Sequence, residues 1–183
     1  MERLLGRHGD IEFWCSDTFH PTMLLPILHN LEAKASEGWD DYNEVYHCCR
    51  LIESVRRDPE LTMEFHTIKK GGEVFGVSLM TRGNILQPLF FPADLTPQES
   101  PEGLLVFNYF HIAPQGRGNG RFWLREIILP HYRTQGFRAV FVKSSHPRSF
   151  SLYSSLGKQV GTYTAHSDNG LHTRSGALFR LPL

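Results

Sequence analysis

Six residues, Gln115-Gly116-Arg117-Gly118-Asn119-Gly120, place glycine at alternate positions between an almost unbroken apolar run, Leu104–Ile112, and an amphipathic stretch, Arg121–Tyr132. Glycine lets a backbone bend sharply and approach a ligand without a Cβ clash. A helix that begins directly after it points unpaired N–H groups, and the positive end of its dipole, at whatever sits there. The segment therefore reads as a strand, an anion-binding turn and a helix. Arg117 and Arg121 flank the turn and are suited to charge-assisted hydrogen bonds with phosphate oxygens. A tight strand-to-helix turn also needs glycine whatever it binds, so the motif has a purely structural explanation beside the functional one. Spacing removes two ligand classes. There is no G-x-x-x-x-G-K-[ST], and Arg121 rather than glycine follows Gly120, so neither a triphosphate loop nor a dinucleotide fingerprint is present.

The elements around this turn follow from periodicity. Leu104–Ile112, interrupted only by Asn108 and His111, has the composition of a central strand buried on both faces, and Ala113-Pro114 ends it. Arg138–Ser144 is a second buried strand. A strand, helix, strand order favours a parallel pair joined by a right-handed crossover. Pro130 is expected to kink or end the intervening helix, whose inner side carries Phe122, Leu124, Ile127 and Ile128, and Gly136 closes it. Pro147 and Gly157 bracket a short helix, Pro147–Leu156.

Upstream, Leu24, Ile27, Leu28, Leu31 and Ala35 recur at helical spacing over Pro21–Ser36, with Thr18 or Thr22 as cap. A second helix is expected from Asp40-Asp41, where Asp41 and Glu44 have capping-box spacing, with Tyr42, Val45, Cys49 and Ile52 on its inner stripe. Leu61–Ile68 and Glu73–Thr81 flank Lys69-Lys70-Gly71-Gly72 as a hairpin. Leu86–Gly103, with four prolines and Phe90-Phe91, reads as a long loop with its own apolar anchors. Lys158–Leu183 closes as a second hairpin about Ser167-Asp168-Asn169-Gly170. The expected architecture is a mixed α/β (α+β) sheet with flanking helices, in one domain over residues 1–183.

Composition supports this and excludes other classes. Lys+Arg and Asp+Glu each total 19, so no field of one sign gathers nucleic acid or anionic lipid. A hydrophobic fraction of 40% with 13 Phe is ample for one core. The cysteines, Cys15, Cys48 and Cys49, are odd in number and have no C-x-x-C spacing. That argues against a disulfide framework or zinc knuckle and for a reducing, cytoplasmic setting. Cys48-Cys49 reads as small apolar residues packed on a helix. The N-terminal residues lack the apolar run of a secretory signal, and no stretch is long enough to span a membrane. The histidines show no ligand spacing, so no metal site is expected and most are assigned surface or structural roles.

Taken with Leu152-Tyr153-Ser154-Ser155-Leu156-Gly157 downstream, the chain resembles the GNAT-type N-acetyltransferases, whose signatures are [QR]-x-x-G-x-[GA] and a later L-Y-x-x-L-G. The resemblance covers Leu61–Leu183 well and the N-terminal helices loosely. It implies the GNAT-like acyl-coenzyme-A N-acyltransferase fold, with a central parallel strand pair that splays apart, one strand carrying a bulge. It implies acetyl-coenzyme A as cofactor, its pyrophosphate held by Gln115 and the backbone of Gly116, Arg117, Gly118, Asn119 and Gly120, with Arg121 beside them. The pantetheine arm would run along Phe110, His111 and Ile112, and Tyr153 would protonate the leaving thiolate or hydrogen-bond the coenzyme sulfur. His146 stands where the family commonly has an asparagine touching the coenzyme. Two further departures are Pro114 directly before Gln115, and Lys158 where an aromatic is usual.

An amine attacks a thioester only when neutral, yet a lysine-like amine with a pKa of about 10.4 is protonated at neutral pH. A base is required. His111 is preferred because the resemblance places it near the thioester; Glu64 and His66, on a strand expected beside it, and a water chain are the alternatives. The expected function is acetyl transfer from acetyl-coenzyme A to a primary amine by direct attack in a ternary complex. A catalytically silent acyl-coenzyme-A-binding module is the reading from another class, and a transferase acting on a protein N-terminus or aminoacyl-tRNA is a third. Phe90, Phe91 and Trp39 are candidates for an aromatic acceptor pocket, with core packing as their other role. The acceptor and the oligomeric state, a homodimer included, are open at this level.

Overall fold

A computed structural model describes residues 1–36, 43–168 and 170–183. Its centre is an eight-stranded sheet in the order β1-β2-β3-β4-β5-β6-β8-β7. The strands are β1 (Glu2–His8), β2 (Ile11–Ser16), β3 (Leu61–Lys70), β4 (Glu73–Gly83), β5 (Leu104–Ile112), β6 (Ala139–Ser144), β7 (Lys158–His166) and β8 (Thr173–Pro182). Every neighbouring pair is antiparallel except β5 and β6. This is the mixed sheet expected, with β5 bounded as read from its apolar run.

Helices cover both faces. α1 (Leu25–Ser36, entered through a 3₁₀ turn at Pro21–Leu24) and α2 (Glu44–Arg57) lie on one side. Their core joins Ile27, Cys48, Ile52 and Val55 to Phe65, Val77, Leu79, Val106 and Phe141 of the sheet. On the other side, α3 runs from Gly120 to Arg133 and α4 over Pro147–Ser154. There Trp123, Leu124, Ile128 and Tyr132 pack with Tyr153 on Phe13, Phe107, Val140 and Phe179. Burying side chains of this size, at about 1.5–3 kcal/mol each, is what holds three layers together.

Several expectations need correction. β1 and β2 were not foreseen. β1 is polar and mostly exposed, the form an edge strand takes, and its burial pattern has no clean alternation. The second helix starts at Glu44 after an Asn43 cap, and its buried stripe is Cys48, Ile52 and Val55. Cys49 is therefore exposed, not core. The expected Asp41 cap, Tyr42 and Trp39 lie outside the described residues, as does Asn169 in the last turn. Leu28 of the first expected stripe is 46% exposed, whereas Met23 is buried. Phe90 and Phe91 are buried in the core under α1 and α2, so packing is their role.

Pro130 does not end α3. The helix widens just before it into a π-helical segment, Trp123–Ile128, in which the Leu129 N–H donates to the Leu124 carbonyl. The wider turn lets the proline ring enter at a point where no N–H is called for. Gly136, with φ +87°, then turns the chain out of the helix.

Candidate active site

β5 and β6 pair in parallel register only from Leu104↔Ala139 to Phe107↔Val142. Beyond that point they part. β5 continues beside β4 to Ile112↔Gly76, while β6 continues beside β8 to Ser144↔Ala177. The divergence begins at a bulge: Leu79 faces Tyr109 and Met80 faces Phe107, leaving Asn108 as the extra residue. Past Phe107, the β5 backbone groups facing β6 have no strand to pair with, and the gap between the strands opens a cavity of about 560 Å³.

The cavity is lined by Phe107–Ile112 of β5, Val142–Ser144 of β6 with Ser145 and His146 following, Tyr153 of α4 and Tyr163 of β7. Asn30, Lys34 and Glu44 close it from α1 and α2. Among the described residues of its wall, Lys34, Arg117, Lys143 and Arg148 stand against one carboxylate, Glu44. Four cationic side chains to one acid suit a polyanionic ligand.

The sequence candidates distribute as follows. Phe110, His111, Ile112, Arg117, His146 and Tyr153 line the cavity together. Gln115, Gly116, Gly118 and Asn119, on the turn between β5 and α3, and Gly120 and Arg121, at the start of α3, do not line it. The 3₁₀ turn Pro114–Gly116 consumes some of the amides expected for phosphate: Gly116 N–H donates to Ala113, Arg117 N–H to Pro114 and Asn119 N–H to Gly116. The first helical bond of α3 runs from Trp123 N–H to the Asn119 carbonyl, so the N–H groups of Gly120, Arg121 and Phe122 precede the ladder. The available anion-binding amides thus sit later in the loop than Gly116. Gly116 has a packing duty instead, since a Cβ there would come within 2.2 Å of the Phe75 ring, whereas Gly118 adopts φ +96° and faces open space.

His111 is 3.0 Å through Nε2 from Glu44 Oε1. Its Nδ1 stands 3.4 Å from the Asn30 side-chain amide, which also donates to the Ile112 carbonyl at 3.2 Å. With Nε2–H donating to Glu44, Nδ1 is the basic nitrogen of the ring. Lys34 donates to the other oxygen of Glu44 at 2.5 Å. Burial alone would raise the Glu44 carboxyl, but the hydrogen bonds and charges of His111 and Lys34 outweigh it and bring it to about 2. A carboxylate that acidic is a poor proton acceptor at neutral pH and a good partner for an imidazolium. No carboxylate base is evident from the sequence, and Glu44 carries no sequence signal for its place beside His111. Glu44 lies far away in the chain, and only the packing of α2 against the sheet brings it there.

Tyr153 is buried, and burial pushes its phenol above the usual range, so it holds its proton at neutral pH. His146 occupies the position before α4 without a capping hydrogen bond from its side chain; burial, then the charges of Lys34 and Arg148, lower its imidazole. Glu64 and His66, the alternative bases, are not in the cavity. They lie on β3, beyond β4, and are engaged by Tyr132, whose hydroxyl donates to Glu64 at 2.7 Å and stands 2.8 Å from His66 Nε2. Sequence does not single out Asn30 and Lys34, which reach the cavity from the helical layer, or Tyr109 and Tyr163, which lie on the sheet's own strands outside the motif positions.

No protein-family model matches the chain, and no curated protein matches it. Solved structures do. A protein assigned to the GNAT acetyltransferase family from Desulfovibrio desulfuricans superposes with a TM-score of 0.57 at 13% identity, covering 94% of this chain and 98% of that one. The ribosomal-protein-alanine N-acetyltransferase of Brucella melitensis gives 0.56 at 17% identity, over 92% and 99%. A GNAT-superfamily phosphinothricin acetyltransferase from Sinorhizobium meliloti, solved with acetyl-coenzyme A, gives 0.55 at 16% identity, over 92% and 87%. The chain has the GNAT acetyltransferase fold. Among the described residues no helix is long and apolar enough to cross a membrane.

Proposed function

We propose that the protein is an acetyl-coenzyme-A-dependent N-acetyltransferase acting on a primary amine. The observation that carries this reading is the opening of a basic cavity between β5 and β6 with a His111–Glu44 pair on its wall. The coenzyme, when bound, supplies an acyl group activated as a thioester. The unpaired edge of β5 fits the amide-bearing arm of such a ligand, and Arg117, Arg148 and the amides of Gly120, Arg121 and Phe122 fit its phosphates.

His111 has the position and chemistry of the general base. Its Nδ1 takes the proton that an incoming ammonium must lose, replacing the long contact to Asn30, while Glu44 fixes the tautomer and stabilises the imidazolium. Tyr153, protonated and facing the cavity from α4, is placed to return a proton to a departing thiolate. Amides along β5 can polarise a carbonyl held against that edge. Three free cysteines are compatible with the cytoplasmic setting expected from the sequence.

The test is turnover of acetyl-coenzyme A with a panel of amines, small molecules and peptides with free N-termini, followed by release of the free thiol. Acceptor-dependent release supports the reading. Coenzyme binding without release for any amine would instead favour the silent binding module.

A further inference from the structure

On the sheet face opposite α1 and α2, a second polar constellation lies under α3. Cys15 of β2 and His66 of β3 are direct cross-strand partners, so their side chains share that face, and Glu64 follows the same alternation two residues earlier. His131 of α3 comes down over them. One potential ligand atom from each of Cys15, Glu64, His66 and His131 falls within 4.8 Å of the other three. Cys15 Sγ is 3.8 Å from His66 Nε2. None of the four lines the cavity at β5 and β6.

We propose that these four side chains form a structural zinc site that ties β2 and β3 to α3. A thiolate, two imidazoles and a carboxylate are the donor types that zinc takes, and four protein ligands make a closed, tetrahedral site. With metal–ligand bonds of 2.0–2.3 Å, the edges of such a tetrahedron are about 3.4–3.6 Å. The quartet is already within roughly 1.5 Å of that, and Cys15 and His66 nearly reach it. His66 is fully buried, and Nε2, the ring nitrogen that faces Cys15 Sγ, is the atom that would take the metal.

Closing the site asks His66 Nε2 to give up its 2.8 Å contact with the Tyr132 hydroxyl and asks for movement at the rim. His131 is half-buried, and its Nε2 contacts Gln135 at 2.9 Å and Arg3 at 3.3 Å, both exposed side chains that can swing outward. Tyr132 keeps its hydrogen bond to Glu64 and so orients that carboxylate from outside the shell. On binding, Cys15 gives its proton to solvent, and thiolate and carboxylate together neutralise the dication.

The experiment uses the full chain, stripped with chelator and titrated with cobalt(II), then zinc. One equivalent of cobalt should give a thiolate-to-metal charge-transfer band in the near ultraviolet with intense visible bands of tetrahedral geometry, and zinc should abolish both. Zinc at 100-fold excess over Kd should raise Tm by about 5–10 °C. Cys15→Ser should lose the charge-transfer band, and His131→Ala, at a half-exposed position that tolerates truncation, should lose the zinc-dependent rise in Tm. Cys49→Ser should change neither. No band and no rise in the wild type would overturn the proposal, as would a band that survives Cys15→Ser or a rise that survives His131→Ala.

Discussion

His111 Nε2 and Glu44 Oε1 stand 3.0 Å apart, joining the end of the bulged strand β5 to the first turn of α2 across the mouth of the cavity. Glu44 is held from its other side by Lys34. A histidine whose ring is fixed by a carboxylate, at the point where two parallel strands diverge, is the feature on which the proposed acetyl transfer rests.

Removing the base should cost more than removing its partner. His111→Ala is expected to lower kcat on the order of 10²-fold or more, and Glu44→Gln on the order of 10- to 100-fold, since the glutamine can still accept from Nε2–H but carries no charge. KM for acetyl-coenzyme A should stay within about twofold in both, because neither residue is assigned to the phosphates. Steady-state kinetics at several pH values would check this. The rate of the histidine variant should rise toward alkaline pH as the acceptor amine deprotonates by itself.

Glu44 also makes the fold sensitive to acid. Its folded carboxyl sits at about 2 against an ordinary value of 4.5. A depressed carboxyl contributes stability that is fully present above the unfolded value and lost as pH falls through the folded one. Wild-type stability should therefore drop between about pH 4.5 and 2. The contribution is on the order of a few kcal/mol, because the pair is mostly buried. Glu44→Gln should flatten that part of the profile in urea melts run across the same window.

Two glycines of one loop should fail in different ways. Gly116→Ala puts a Cβ into the Phe75 ring and should destabilise the protein by about 1–3 kcal/mol, read as a lower urea midpoint. Gly118 has room for a side chain but a left-handed φ of +96°, so Gly118→Ala should cost about 1 kcal/mol. Gly118→Trp should still fold and should lose coenzyme affinity, by filling the approach to the loop.

Tyr153→Phe removes a hydroxyl that makes no hydrogen bond to the described residues, so stability should change by less than about 1 kcal/mol. Binding of acetyl-coenzyme A should persist while turnover slows by roughly 10- to 100-fold. Comparing Kd by calorimetry with kcat separates the two effects.

Much of this site could be read from the chain because its parts are contiguous. The apolar run of β5, the glycine turn and the Leu152–Gly157 motif each lie within a dozen residues, where periodicity and turn chemistry act directly. Glu44 and Asn30 could not be read, since their contact with His111 depends on how α1 and α2 pack on a sheet formed much later in the chain. The same holds for Cys15, Glu64, His66 and His131, which converge from three elements without any local ligand spacing. Cys48 and Cys49 fit the helical spacing from Val45 to Ile52 equally well, and only the packing of α2 on the sheet settles that Cys48 faces the core. β1 has no alternating signal, because its leucines, Leu4 and Leu5, are adjacent and fall on opposite faces. The π-helical turn before Pro130 is a tertiary solution, in which Trp123 and Tyr132 stay buried on the same side of a helix that passes a proline.

Titration calorimetry of the wild-type chain with acetyl-coenzyme A, against ATP as a phosphate-bearing control, tests the central assignment most directly. One molecule of the coenzyme per chain should bind, ATP should bind at least tenfold more weakly, and Gly118→Trp should abolish the heat. No binding of acetyl-coenzyme A, or binding that Gly118→Trp leaves intact, would contradict the placement of the coenzyme between β5 and β6.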